Sequence, residues 1–487
     1  MSKVLVTHSY FYKFDPKQWN TGQPYPPLGT LYACSYLKSK GLTVSFFDTN
    51  LADSTEEIIP LLESEKPHYL VIYDDSFNYL SKMCLTKMRE AAFRISELGK
   101  EHNCLVIVSG SDSSDQYEKY LDNGTDFVIT GEGEITLSEL IKSIDAGADN
   151  IEHIDGIIFR RNGITVRTKK REILHNLDTL PFPAWDLVDM DRYKNIWINQ
   201  HGYFSLNIAT TRGCPFKCNW CAKPIYGTRY NSRSPGNAAD ELEMLIKKFD
   251  VSYFWFCDDI FGLKPGWIKE FRDIVKQRGL KFRFKIQSRV DLLLKEDTIE
   301  ALYESGADTV WIGAESGSQK ILDAMDKGTT VEQIYEATQK LKKKGIKTAF
   351  FIQLGYLGET KEDIHQTITM IKDLLPDDIG ISVSYPLPGT RFYDIVKNDL
   401  KIKTNWTDSN DLAMMFHSTY SPDYYRKLHH LIHGIYRYNK GVKVMKSFIT
   451  NPLNQNFSTL KAALSSFYYL PWVFIDYIRL WIIRIEL

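Results

Sequence analysis

Apolar runs of four or five residues recur through the first 145 positions, at 3–7, 43–47, 69–73, 105–109 and 127–130. Runs that long, without polar alternation, predict strands buried on both faces of a parallel sheet. The stretches between them, such as 28–40 and 85–98, space their apolar residues three and four apart, as amphipathic helices do. Five βα units of this kind predict an N-terminal doubly wound parallel sheet over residues 1–145, with ligands expected at the carboxyl edge of its strands. Residues 146–203 form a connector. It holds a hairpin signal at Asn162-Gly163 and then Leu180-Pro-Phe-Pro183, which breaks regular structure. From 204 to 395 the alternation resumes, with strands expected at 204–210, 252–257, 283–288, 309–313, 347–353 and 378–383. Helices between them carry clean stripes, such as Trp267, Ile268, Phe271, Ile274 and Val275, or Ile364, Ile368, Ile371 and Leu375. Residues 396–487 are expected to be a helical C-terminal region.

A chain of 487 residues accommodates two or three domains. Its 43% hydrophobic and 25% charged residues are ordinary for a globular protein. Lys and Arg number 60 against 61 Asp and Glu, so the chain lacks the basic excess that nucleic-acid binding needs. Seven cysteines, an odd number in so long a chain, make no disulfide framework, and the N-terminus enters a strand at once without a signal-peptide pattern. A reducing cytoplasm is the expected location.

Three of those cysteines lie within eight residues, in Arg212-Gly-Cys214-Pro-Phe-Lys-Cys218-Asn-Trp-Cys221. Clustered intracellular thiols point to metal binding. Zinc would want a fourth protein ligand to close its tetrahedron, whereas an iron–sulfur cube with three cysteines keeps one iron open. A zinc loop and chance proximity are the alternatives. The spacing, with its Arg-Gly and Cys-Pro flanks and the aromatic Trp220, resembles the signature of radical S-adenosylmethionine (SAM) enzymes. Arg233-Ser234-Pro235 is similar to a stretch of the cobalamin-dependent branch that includes the anaerobic Mg-protoporphyrin cyclase and hopanoid methylases. The sequences Pro26-Pro-Leu-Gly29-Thr and Asp126-Phe-Val-Ile-Thr-Gly131-Glu132-Gly133-Glu134 resemble its N-terminal cobalamin-binding domain. The methionine-synthase motif Asp-x-His-x-x-Gly, which supplies a lower cobalt ligand, is absent from the chain.

This resemblance covers about residues 1–395 and implies a Rossmann-like cobalamin domain followed by a partial (β/α)6 radical SAM barrel. It further implies a [4Fe–4S] cluster on Cys214, Cys218 and Cys221, and SAM and cobalamin as further cofactors. Asp258 and Asp259, ending the second barrel strand, would meet the SAM amino group. Ser288 and Arg289 would meet its ribose and carboxylate, Glu315 its ribose, and Gly355 would wall the adenine. Helix capping is the plainer role for the two acids, and a salt bridge for Arg289. Gly29, Asp75, Ser76, Ser109, Gly110, Ser111, Gly131, Glu132 and Gly133 would line the cobalamin edge. Each glycine alone is also an ordinary βα turn. The implied activity is methylation of an unactivated carbon through a 5′-deoxyadenosyl radical and methylcobalamin. An oxidative cyclase with the same cofactors and a corrinoid or iron–sulfur sensor are the alternatives. A small-molecule or lipid-like substrate and an electron donor such as flavodoxin or ferredoxin follow as partners.

Beyond residue 395, His429, His433 and Tyr436 share a helix face, as a core or surface stripe more often than as metal ligands. The apolar tail from Phe467 onward is interrupted by Asp476, Arg479, Arg484 and Glu486, too often for a bilayer span. It is expected to dock on the protein, with peripheral membrane contact as the alternative.

Overall fold

The structure, a computed structural model, describes residues 2–83, 85–148, 150–223, 225–400, 405–450 and 468–480, apart from the side chains of 447–450. Of the tail positions singled out above, Phe467, Arg484 and Glu486 lie outside the described residues. The first sheet contains β1 (Lys3–Thr7), β2 (Thr43–Phe46), β3 (Tyr69–Tyr73), β4 (Leu105–Ser109), β5 (Phe127–Ile129), β6 (Ile157–Arg161) and β7 (Ile164–Arg167), in the order β2-β1-β3-β4-β5-β6-β7. Strands β1 to β5 are parallel. Val4, Val6 and Ile107 pack on one face with the helices Leu28–Ser39 and Glu134–Asp145, while Leu5, Leu70, Ile72 and Val108 pack on the other with Thr86–Glu101. Burial of both faces is why the sequence runs apolar without alternation. The 2-1-3-4-5 order places the topological switch between β1 and β3, where such folds bind ligands.

The connector's hairpin belongs to the first sheet. Strand β6 pairs antiparallel with β5, Phe127 opposite Phe159, and β6 with β7 extends the first sheet.

The second sheet is open and wholly parallel. It comprises β8 (Ser205–Ile208), β11 (Tyr253–Phe256), β12 (Arg283–Ser288), β13 (Ala307–Glu315), β14 (Lys347–Leu354) and β15 (Asp378–Val383), in the order β15-β14-β13-β12-β11-β8. The short β9 (Thr211–Arg212) and β10 (Asn231–Ser232) form a separate antiparallel pair. Phe254, Phe256, Phe284, Ile286, Val310 and Ile312 are buried among the outer helices. The intervening Trp255, Lys285, Gln287, Trp311 and Phe351 are partly exposed on the opposite, concave face, as a period of two requires. This is a half-barrel.

The helix Pro422–Thr450 covers one flank of the half-barrel, burying Tyr425, Leu428, Leu431 and Ile432, with the Tyr436 hydroxyl donating to the Asp377 carbonyl at 2.7 Å. The segment before it returns to the first domain: Thr86 N donates to the Trp406 carbonyl at 2.7 Å, and Ser409 bonds Asp15.

Candidate active site

Strand β8 delivers the chain to the cysteine loop, and Asp258 holds the delivery point. Its carboxylate accepts the amides of Thr210 and Thr211 at 2.7 and 2.8 Å and the Thr210 hydroxyl. It is fully buried, which raises its pKa to about 6. Asp258 is thus engaged by backbone and hydroxyl donors at the exit of β8. Gly213 follows at φ +78°, where a Cβ would collide with the Arg229 carbonyl. Only glycine fits that left-handed, crowded turn. The β9–β10 pair, Arg212 opposite Asn231, closes residues 213–230 into a loop.

Within the loop all three cysteines are partly exposed. Asn219 anchors it to the half-barrel. Its amide donates to the Met325 carbonyl (3.0 Å), its side chain to the Ala324 carbonyl (2.7 Å), and it accepts from the Tyr356 hydroxyl at 2.8 Å. Arg289 stacks on the Phe216 ring with its guanidinium carbon 3.7 Å from the centroid, and donates to the Lys327 carbonyl at 2.7 Å. Its fork is paired with Asp291 at 3.0 Å, and one nitrogen lies 3.8 Å from Cys218 Sγ. It braces the loop from below. Ser288, just before it, is buried at the end of β12.

Burial raises the Cys214 thiol and pushes Cys221 up to about 12, with Asp259 and the neighbouring cysteines adding to the effect. Cations at the loop would draw off these protons, because thiolates are the ligating form. Among the described residues no three His, Cys, Asp or Glu side chains converge as ligands of a single ion. Three cysteines, with no fourth in the loop, fall one short of the four ligands of a structural zinc site. Three soft donors on one loop suit a multi-iron cluster with one free corner.

Around the loop stand two buried or half-buried ion pairs. Glu315 meets Lys327 at 2.7 Å, both nearly inaccessible. Glu315 adopts φ +57° where β13 slips its register against β14. That conformation is costly for a residue with a Cβ and aims the carboxylate at the strand end. A Cβ on Gly313 would press to 2.7 Å of Lys327 Nζ, so the pair occupies space that this glycine leaves. Asp259 meets Lys82 at 2.5 Å across the domain boundary. Lys82 ends the short helix Tyr79–Lys82, which leaves the carboxyl end of β3 and lies over the barrel mouth. Tyr385, after β15, closes the same roof. Its ring edge packs on Trp406 at 3.8 Å and its hydroxyl lies 3.5 Å from Met83 Sδ. Burial raises its pKa, and Tyr79, Cys221 and Glu315 reinforce the shift.

Gly355, at φ +77°, approaches the C-terminal region closely: a Cβ would lie 2.9 Å from Met414 and 3.1 Å from the Tyr425 ring. Its backbone is covered by that packing. Its amide donates to Glu359 at 2.7 Å, and burial raises the Glu359 carboxyl to about 8 from an ordinary 4.5. The folded state thus binds a proton more tightly than the unfolded chain. This stabilisation is complete below about pH 4.5 and is lost as pH rises through 8. Glu359→Gln should flatten the stability profile over that window in chemical denaturation.

The carboxyl edge of the first sheet faces the cysteine loop. Asp74 accepts from Ser9 twice, at 2.7 and 2.9 Å, and burial raises it to about 6. Asp75 accepts the amides of Gly29 and Phe77. A Cβ would meet Asp75 and Ser76 at Gly29, Asp74 at Gly110, and Tyr73 and Ser109 at Gly133, so these three glycines admit the protein's own side chains. Gly131 differs. At φ +75° its nearest contact would be the Ile225 carbonyl at 3.9 Å. Ser111 is buried at the start of the turn after β4, and the Ser76 hydroxyl bonds that of Tyr226. His8 is packed against Asp48 and Thr49. Glu132 accepts from the Leu174 amide and from Arg212 at 3.2 Å, and Glu134 from Arg212 at 2.6 Å. The Arg212 guanidinium also lies against the rings of Tyr32, Phe77 and Tyr226. A buried charge cluster therefore joins β5's exit to the cysteine loop. Arg212 lies within the cysteine motif and Tyr385 opens the turn after the sixth barrel strand that resembles the family's, but Lys82, Tyr226 and Lys327 carry no local sequence signal.

The rings of His429 and His433 lie 4.5 Å apart on the C-terminal helix, tilted by 60°. Burial lowers their pKa values to about 3 and 4, so both are neutral.

A parallel half-barrel whose first strand opens into a three-cysteine loop is thus faced by the carboxyl edge of a doubly wound sheet. Residues 208–371 match the family model of the radical SAM superfamily. The chain is 28% identical over 387 residues to an uncharacterized methyltransferase of Pyrococcus horikoshii, covering 78% of this chain and 81% of the relative. It is 28% identical over 374 residues to the anaerobic magnesium-protoporphyrin IX monomethyl ester cyclase of Rubrivivax gelatinosus, covering 75% and 65% respectively. The solved structure of OxsB, a cobalamin-dependent S-adenosylmethionine radical enzyme with aqua-cobalamin and S-adenosylmethionine bound, has the same fold. That match has a TM-score of 0.72 at 18% identity, over 96% of this chain and 70% of OxsB. The matched segment, residues 208–371, takes in the cysteine loop and most of the half-barrel.

Proposed function

We propose that this protein is a cobalamin-dependent radical SAM enzyme that methylates an unactivated carbon of a small-molecule or lipid-like substrate. The observation that carries this reading is the docking of the three-cysteine loop onto the ligand edge of the first sheet through Arg212 and Tyr226, with Lys82 of that domain reaching Asp259 beside it. When bound, the cluster, SAM and cobalamin supply reductive sulfonium cleavage, hydrogen-atom abstraction and methyl transfer.

The chain's own residues do the positioning. Cys214, Cys218 and Cys221 hold the cluster, and Asn219 and Arg289 fix their loop. Asp259, freed from Lys82, meets the SAM ammonium as a charge-assisted acceptor, a role that Asp258 leaves to it. Glu315, steered by its left-handed backbone and by Lys327, faces the ribose. Ser109, Ser111 and Gly131 border the cobalamin edge. Tyr385, Met83 and Leu80 exclude water from the mouth, which protects a reactive carbon centre. Electrons enter from a flavodoxin- or ferredoxin-type donor.

Anaerobic protein reconstituted with iron, sulfide and hydroxocobalamin, then given reductant and methyl-deuterated SAM, should form 5′-deoxyadenosine and deuterated methylcobalamin. Absence of both refutes the reading. The cyclase among the relatives favours a second reading, oxidative ring closure with the same cofactors. A product of altered oxidation level without deuterium would select it.

A further inference from the structure

The helix at residues 468–480 is anchored by one narrow seam. Tyr469, Val473, Asp476 and Leu480, spaced four, three and four apart, face the protein, and the rest face outward. A Cβ on Gly434 of the helix Pro422–Thr450 would lie 3.1 Å from Val473 Cγ2. The Tyr469 hydroxyl accepts from Arg437 at 2.9 Å, and Leu480 joins the main core. The acid of this helix, Asp476, is turned toward the body and paired with Arg479 at 3.3 Å.

Its other face is apolar. Tyr468, Leu470, Trp472, Phe474, Ile475, Tyr477 and Ile478 are all exposed, Phe474 at 66% and Tyr468 at 62%. A globular surface rarely displays so many large apolar side chains together without a use. The underlying helix supplies the second observation. Arg437, Lys440, Lys443 and Lys446 are exposed along its second half, and Asp423, in its first turn, is its single acid. No helix among the described residues is long and apolar enough to cross a membrane. Tryptophan and tyrosine beside aliphatic residues, flanked by cations, fit a surface that is apolar below and anionic above.

We propose that this face is a monotopic docking site for an anionic phospholipid bilayer, with the apolar face of 468–480 in the acyl–headgroup boundary and the basic row on the lipid phosphates. This inference stands apart from the catalytic reading, since docking requires neither cluster nor SAM. Its use would be to bring the barrel mouth to substrates held at a membrane.

Vesicle flotation of the full chain tests it without any cofactor. The protein should float with vesicles of phosphatidylcholine mixed with phosphatidylglycerol, and less with phosphatidylcholine alone. Added salt should weaken the preference. Trp472→Ser with Phe474→Ser should lower partitioning by roughly tenfold or more. Lys440→Glu with Lys443→Glu should abolish the preference for phosphatidylglycerol, while circular dichroism shows both variants folded. Failure of the unmodified protein to float with either vesicle overturns the proposal. So does a concentration-dependent dimer, lost in the Trp472 and Phe474 variant, from a chain that ignores vesicles.

Discussion

Replacing Cys214, Cys218 or Cys221 singly with alanine should leave a folded protein that no longer assembles its iron and forms no 5′-deoxyadenosine. The three thiols share one loop, so removing one leaves a second iron without a protein ligand. A fall of at least about a hundredfold in reductive SAM cleavage is expected, the scale seen when even the outer partners of metal ligands are lost. The fold should survive because its cores lie elsewhere: the loop is pinned through Asn219, Arg212 and Arg289, and none of the three cysteines is in the buried core. Iron content, the visible charge-transfer band and chromatography of SAM products measure the three consequences separately. A variant that keeps its iron would show that these thiols are not the ligands.

Arg212→Met should be the most destabilising single change in the domain interface. The substitution preserves much of the volume but strands Glu132 and Glu134, whose carboxylates are almost inaccessible to water. Breaking one partner of a buried ion pair costs ~3–5 kcal/mol, because an uncompensated charge stays inside. Burial already holds Glu132 above its ordinary value even with the arginine present. Without Arg212, Glu132 should take up a proton more readily on folding, so the variant should regain stability as pH falls toward the ordinary carboxylate range. Arg212→Lys should rescue little, since one ammonium cannot reproduce a fork serving two acids while lying on three rings. Arg212→Met combined with Glu132→Gln and Glu134→Gln should recover most of the loss. Urea unfolding curves across pH distinguish these outcomes. Unchanged midpoints in Arg212→Met would mean that the two domains do not depend on this cluster.

Much of this structure could be read locally. The strands follow from uninterrupted apolar runs, and the observed β1, β3, β4, β12 and β15 match the predicted bounds residue for residue. Periodicity is a property of neighbouring residues, and burial of both sheet faces leaves few polar interruptions to blur it. The cysteine loop was equally plain, because three thiols at short spacing need no tertiary information to be grouped. The hairpin at Asn162-Gly163 was legible as a hairpin, yet its membership of the first sheet was not. Which edge a hairpin joins depends on a vacant partner strand, here β5, far away in sequence.

The acids show the other limit. Asp258 and Asp259 are adjacent and chemically identical, and nothing in the sequence separates them. In the folded protein one faces the amides leaving β8 and the other faces Lys82, because successive strand-end residues point in opposite directions. Glu132, at the exit of β5, likewise takes a partner that its neighbours in sequence do not announce: Arg212, 80 positions later. The sequence by itself determined where the strands lie and that three thiols share one loop, since both are matters of spacing between near neighbours. Only the tertiary structure decided which partner each carboxylate takes, because charge pairing depends on distances that chain separation does not encode.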